Sequence, residues 1–164
     1  APVIVNGNWH PYDMATIGDG TTGKIYDFTT AGAVASVETP AFEDGFEYML
    51  MITNVSPSIV GPNLVVEVYR ETDAAYSTAW TSSGEGNSGA STTSAMVHIV
   101  LPRLAKTIHP VTGWAYLTSG GGEVVNPAPV YDGTLQKISK ARVKWSIGNI
   151  AAGTIRLFRR GVQV

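Results

Sequence analysis

The chain has 164 residues, which is enough to bury one hydrophobic core as a single domain. It is 44% hydrophobic but only 15% charged, below the usual quarter. Two explanations stay open for this low charge: a surface partly covered by a partner, or a tightly turned all-β domain. The absence of cysteine excludes a disulfide framework and thiolate chemistry. The net charge of −2 argues against nucleic acid as a partner.

The predicted elements are short strands separated by Gly- and Pro-rich turns. After a first segment, residues 1–17, that we interpret as an N-terminal arm or edge strand, the strand patterns are Lys24–Phe28, Val34–Glu38, Phe46–Val55, Leu64–Glu71, Tyr76–Thr81, Met96–Leu101, Gly113–Ser119 and an extended, proline-broken stretch at Val124–Tyr131. Both sides of Phe46–Val55 are apolar, as expected of a central strand. The spacing predicts an all-β, antiparallel, jelly-roll-like β-sandwich that forms one domain over residues 18–164.

One long segment lacks the apolar residues that a strand needs. Ser82–Ser94 reads SSGEGNSGASTTS, and we expect an exposed loop because burial cannot offset its ordering entropy. Residues 84–89 match the pattern G-x-G-x-x-G, but a dinucleotide site requires a helix after the glycines. A β-branched strand follows here instead, so we interpret the glycines as loop residues.

The end of the chain has the clearest alternation. Ala141, Val143, Trp145 and Ile147 fall on one side of a strand pattern, and a second pattern continues to Arg160. A Gly-bounded turn separates the two runs, which predicts a β-hairpin over residues 137–160.

Charge is segregated along the chain. Residues 1–136 contain 4 Lys/Arg and 13 Asp/Glu, a net of −9, whereas residues 137–164 contain 7 Lys/Arg and no acid, a net of +7. Two interpretations are open: the last strands lie beside acidic strands of the same molecule, or the subunits meet positive face to negative face.

The usual catalytic and metal-binding patterns are weak in this sequence. His10, His98 and His109 show no metal-ligand spacing. The acidic pairs 43/44 and 71/73 lie beside turns, where acids are most often solvated. We therefore expect no enzyme activity, no metal and no cofactor.

Aromatic residues near the glycine-rich loops suggest a different function. Tyr76, Trp80, Trp114 and Tyr116 could stack on sugar rings, as aromatic side chains at the loops of β-sandwich modules do, or could fill the core.

Four stretches resemble small β-sandwich structural proteins of tailed bacteriophages and prophages. They are EYMLMITNVSP (47–57), LVVEVYR (64–70), YSTAW (76–80) and the closing KARVKWSIGNIAAGTIRLF (140–158), so the likeness spans most of the chain. The resemblance implies a virion component, often trimeric, of the head-decorating or tail-associated type. It transfers no catalytic residue.

We therefore expect a non-enzymatic virion structural protein that self-associates and docks on a capsid or tail protein. A basic face of Arg142, Lys144, Arg156 and Arg160, together with Trp9 in the arm, would supply the contact. The alternative is a carbohydrate- or receptor-binding module at a tail-fibre tip that binds a host surface glycan. The sequence has no apolar run long enough for a membrane span and no signal-peptide pattern at its N-terminus, so we expect synthesis in the bacterial host cytoplasm, assembly into the virion and no membrane partner.

Overall fold

The computed structural model describes residues 9–11, 24–27, 34–59, 61–82, 92–100, 102–104, 106–109, 111–117 and 130–161. Within these ranges the chain forms strands and turns and no helix. The described strands are β1 (His10–Pro11), β2 (Lys24–Asp27), β3 (Ser36–Glu38), β4 (Phe46–Pro57), β5 (Leu64–Arg70), β6 (Ala75–Thr81), β7 (Thr93–Ile99), β8 (Lys106–His109), β9 (Val111–Leu117), β10 (Val130–Gln136), β11 (Ile138–Trp145) and β12 (Ile150–Gly161).

These strands form an antiparallel β-sandwich, which confirms the predicted fold class. The first sheet has the order β1-β12-β4-β7-β9, with β2 also paired to β12, and the second has the order β3-β11-β5-β6. Strands β8 and β10 pair with each other. We call the first two the β4 sheet and the β5 sheet. The jelly-roll connectivity stays a prediction.

The core lies between the two sheets and follows the predicted alternation. In β4, Phe46, Tyr48, Leu50 and Ile52 are buried, and β4 is a central strand, between β12 and β7. From the other sheet, Val66, Val68, Ala141, Val143 and Trp145 are buried against them. Each fully buried aliphatic side chain of this kind contributes about 1.5–3 kcal/mol.

The predicted hairpin at the end of the chain is wrong in its pairing, although both of its strands exist. Strand β11 pairs with β3 and β5, whereas β12 pairs with β4 and with β1 and β2. Residues 146–149 therefore form an arch that crosses from the β5 sheet to the β4 sheet. Ile147, expected on the buried side, lies in this arch and is 60% exposed.

A second arch stabilises the first. Residues 58–63 carry the chain from β4 to β5, and the two arches bind each other through their serines. The backbone N–H of Asn149 donates to Ser58 Oγ (2.9 Å), and that of Asn63 donates to Ser146 Oγ (3.0 Å). Backbone bonds join Ser58 N to Asn149 O (2.9 Å) and Ser146 N to Asn63 O (2.8 Å). These bonds satisfy backbone groups that neither sheet ladder can reach.

The predicted 82–94 loop is too long at both ends. Ser82 is buried, and its hydroxyl accepts a hydrogen bond from the backbone N–H of Leu64 (2.9 Å). Strand β7 already begins at Thr93. The intervening residues 83–91, which include the G-x-G-x-x-G pattern, lie outside the described residues.

The N-terminal arm is described only at residues 9–11, so the predicted boundary at residue 17 stays a prediction. Its strand β1 pairs with the outer edge of β12, His10 with Arg159 and Pro11 with Phe158. Strand β2 takes the next part of that edge, opposite Thr154 to Arg156. Strand β1 of the arm and strand β2 thus lie side by side along the same edge of β12.

Candidate functional site

The four predicted interface cations do not form one basic face. Arg142 and Lys144 project from the outer side of the β5 sheet, because their neighbours Ala141, Val143 and Trp145 point into the core. By the same alternation, Arg156 and Arg160 project from the outer side of the β4 sheet. The predicted basic face is therefore wrong, since the arch sends its two strands to opposite sides of the sandwich.

On the β5 sheet the cations are held by carboxylates of neighbouring strands. Arg142 donates from Nε to Glu67 of β5, and Lys144 Nζ lies 3.9 Å from the same carboxylate. Lys140 Nζ lies 3.0 Å from Glu38 Oε2 of β3. Register explains these pairs, because Arg142 stands directly between Glu38 and Glu67 across three strands.

A tyrosine completes this network. Tyr76 of β6 donates its hydroxyl to Glu38 Oε1 at 2.6 Å, and the Arg142 guanidinium lies 3.9 Å from the centre of the Tyr76 ring. The hydrogen bond from Tyr76, helped by Lys140 and Arg142 and opposed by burial, lowers the pKa of Glu38. Burial, together with the bond to Glu38, raises the pKa of Tyr76. The neutral phenol thus donates to an ionised carboxylate.

Two of the three arginines of strand β12 are paired in the same way. Arg159 Nη1 lies 2.8 Å from Glu43 Oε2, and Arg160 donates from Nε to Glu47 of β4. Arg156 is exposed and forms no ion pair with any residue that the structure describes. Of the two interpretations of the segregated charge, adjacency within the molecule explains the described residues: the basic strands lie beside acidic ones.

The acidic pairs beside the turns also serve as partners for arginines. Arg103 binds Glu71, and its Nε lies 3.4 Å from Asp44 Oδ1, so it links two turns at the end of the sandwich opposite the arches. Arg70 binds Asp73. The four acids of the two pairs, at 43/44 and 71/73, are thus partners of Arg159, Arg103 and Arg70.

The structure describes the side chains of two of the four predicted ligand-binding aromatics, Trp80 and Tyr76, and the strand position of the other two. Trp80 is only 1% exposed and lies in the core, which corrects the interpretation of this residue as a sugar-stacking ring. Tyr76 lies on the outer side of the β5 sheet, with Arg142 over its ring. Trp114 and Tyr116 belong to β9 in the other sheet, opposite Met96 and Ser94 in the register.

The structure brings two of the predicted contact residues together at a place that the sequence did not single out. The Arg160 guanidinium lies 4.8 Å from the ring centre of Trp9, and the ring of His98 lies 5.4 Å away, edge to face. Beneath them Glu47, 5% exposed, contacts His98 Nε2 at 2.5 Å and also binds Arg160. We call Trp9, Glu47, His98 and Arg160 the Trp9 cluster. The register of β4, β7 and β12, together with β1 on the edge of β12, brings its members together.

A second feature of the β4 sheet is an apolar outer surface. Met49 and Met51 alternate with the buried residues of β4 and therefore face outward, half-buried. The register places Phe158 and His98 on either side of Met49, and Arg156 and Met96 on either side of Met51. We call Met49, Met51, Met96 and Phe158 the methionine patch. In the sequence, the feature that could have indicated this patch was the apolar character of both sides of β4.

No group of three His, Cys, Asp or Glu side chains is close enough to hold a metal ion in the described part of the chain. In that same part, no helix is long and apolar enough to cross a membrane. Comparison of the chain with protein-family models, with curated proteins and with solved structures finds no match.

Proposed function

We propose that this chain is a non-enzymatic structural protein of a tailed-bacteriophage particle. It is made in the cytoplasm of the bacterial host, associates with copies of itself as a trimer, and docks on a capsid or tail protein. The β-sandwich fold and the resemblance of residues 46–160 to phage structural proteins support this proposal. No cofactor takes part in it.

The observation that carries the proposal is the methionine patch. Four half-buried apolar side chains lie in two adjacent rows on the outer side of a sheet, next to the exposed Arg156. Methionine is enriched at protein interfaces because its flexible, polarisable side chain adapts to different partner surfaces. A contiguous apolar surface on the outer side of a sheet favours contact with another protein.

The charges indicate what kind of contact this is. Five of the seven cations in residues 137–164 already pair with carboxylates of the same molecule. Opposite charges between subunits therefore contribute little, and the association depends mainly on apolar burial. Because salt screens exposed charges but does not weaken apolar burial, we expect the oligomer to persist as ionic strength rises.

Light scattering at low and at moderate salt tests the self-association. We expect the mass of an oligomer, a trimer in this proposal, at both salt concentrations. The variant Met96→Glu, which places a charge within the patch, should shift the mass toward the monomer. Its matched control is Thr81→Glu, which adds the same charge at an exposed position on the outer side of the β5 sheet. A monomer at both salts, or equal masses for the two variants, would contradict the proposal.

In the glycan-binding alternative, two of the four predicted residues cannot stack on a sugar ring, because Trp80 is in the core and the ring of Tyr76 is covered by Arg142. No observation on the described residues favours it over the structural role.

A further inference from the structure

The methionine patch contains most of the sulfur of this chain. The sequence has four methionines and no cysteine, so thioether sulfur is the only sulfur that an oxidant can attack. Three of the four, Met49, Met51 and Met96, belong to the patch, and Met14 lies outside the described residues. Methionine often fills gaps in a core, but none of the buried core residues that the structure describes is a methionine. The described thioethers are thus gathered on one outer surface.

The strand register brings these three thioethers close together. Met51 stands directly opposite Met96 in the β4–β7 register, and Met49 lies two residues from Met51 on the same side of β4. Directly opposed side chains of paired strands have Cβ atoms about 4.5–5.5 Å apart. All three side chains are half-buried and project outward from the sheet, so a small oxidant reaches them from solvent while the sandwich stays folded.

We propose that the methionine patch is a site of reversible oxidation by peroxide, and that this oxidation switches off the association between copies. The inference rests on the self-association proposed above and names its regulation. A thioether sulfur attacks one oxygen of hydrogen peroxide, the O–O bond breaks, an S–O bond forms and water leaves. Sulfur gives up an electron pair and the peroxide is reduced. Methionine sulfoxide reductases reverse the step.

A sulfoxide changes what the patch can bury. Its oxygen is a hydrogen-bond acceptor, and burying such a group without a donor is costly. In the free copy the exposed Arg156, opposite Met51 in the β4–β12 register, is placed to donate to the oxidised Met51 side chain. Association that depends on apolar burial is therefore weakened by each sulfoxide. The coupling is reciprocal: copies that bury the patch protect its sulfurs, so oxidation proceeds through the free copy.

Treatment with hydrogen peroxide, followed by mass spectrometry and light scattering, tests the switch. Every chain carries Met14→Leu, so that the patch contains the only sulfur atoms. We expect three sulfoxides, which add about 48 Da, and a shift of the light-scattering mass toward the monomer. The near-ultraviolet circular dichroism of the buried Trp80 and Trp145 should not change, because the sulfurs lie outside the core. A methionine sulfoxide reductase should restore the oligomer.

The matched control adds Met49→Leu, Met51→Leu and Met96→Leu, which keep the patch apolar at similar volume and remove its sulfur. Its light-scattering mass should be the same before and after peroxide. A second measurement follows the rate of oxidation of the methionine-containing chain at two protein concentrations, below and above the association midpoint. Where only a tenth of the copies are free, we expect oxidation to be about tenfold slower.

The outcomes separate this inference from the proposed function. If the untreated protein is an oligomer and keeps its mass after three sulfoxides have formed, the oxidation switch is refuted and the self-association stands. The switch is also refuted if the leucine control dissociates on treatment, or if oxidation is equally fast at both concentrations. If the untreated protein is a monomer at every concentration, the self-association and its regulation are both refuted.

Discussion

The substitution Gly153→Ala tests a close approach between the two long strands of the β4 sheet, β4 and β12. Gly153 has φ of +116°, a conformation that L side chains rarely adopt. A Cβ at this position would lie 2.6 Å from Val55 Cα and 2.7 Å from Asn54 O, both of which are backbone atoms that cannot move aside. The register of β12 against β4 shifts here, and Asn54 itself has φ of +50°.

Two contributions add to the expected loss of stability. A residue with Cβ in this backbone region costs about 1–2 kcal/mol, and forcing an atom into a closely packed contact costs about 1–3 kcal/mol. We therefore expect the free energy of unfolding to fall by about 4 kcal/mol. For a domain of this size that corresponds to a decrease in Tm of about 12 °C.

Gly61→Ala is the matched control. Gly61 has φ of +89°, but a Cβ there would meet no atom within 4 Å, so only the conformational cost of about 1–2 kcal/mol applies. The effect of alanine on the unfolded chain is the same in both variants and cancels in the comparison. Urea unfolding gives the two free energies. A loss for Gly153→Ala no larger than that for Gly61→Ala would refute the close approach of β12 to β4.

Three further predictions concern charge, pH and the arch. Arg142→Ala should lower the free energy of unfolding by about 1–2 kcal/mol, because it leaves its half-buried partner Glu67 largely unpaired. The control, Arg156→Ala, removes an exposed cation and should change that free energy by less than about 0.5 kcal/mol. Equal losses in urea unfolding would contradict the internal pairing. The pKa of Glu38 is lowered in the folded state, so its contribution to stability is present above the ordinary glutamate pKa of about 4.3 and is lost as pH falls through the folded pKa. Glu38→Gln removes this titration and should therefore reduce the fall of Tm with decreasing pH in the acid range. Ile147→Ser should change the free energy of unfolding by no more than about 0.5 kcal/mol, because Ile147 is exposed in the arch, whereas Val143→Ser should lower it by about 3 kcal/mol, because Val143 is buried. A large loss for Ile147→Ser would contradict the exposed position of Ile147.

Alternation along the chain was sufficient to predict most of the strands and their buried sides. It succeeded for β4, β5 and β11 because side chains on successive residues of a strand must face opposite ways, whatever the strand pairs with. It failed for β8, which is four residues long and therefore too short to show a period. The same rule wrongly predicted that Ile147 is buried, because alternation does not mark the residue at which a strand ends and an arch begins.

Pairing was not predictable in the same way. Glycine and asparagine at 148–149 signal a reversal of the chain, and Gly148 does have φ of +78°. That signal is the same whether the second strand returns to its own sheet or crosses to the opposite one. Here the strand crosses, and the arch is bound by Ser58 and Asn63, which lie more than eighty residues earlier. The Trp9 cluster was hidden for the same reason, since Glu47 and His98 meet only through the register of two strands.

The arch also explains why the cations grouped at the end of the sequence are not grouped in the described part of the fold. If β11 and β12 formed a hairpin, their cations would be neighbours, and mutual repulsion would favour an external acidic partner. Because the arch separates them, each strand lies against the acidic residues of a different set of neighbours: Glu38 and Glu67 for β11, Glu43 and Glu47 for β12. Of the four cations once expected at an interface, Arg156 alone has no ion pair within the described residues, and it borders the methionine patch. The surface that we propose as the contact, the methionine patch, is thus apolar with one cation at its rim, which favours association that resists salt.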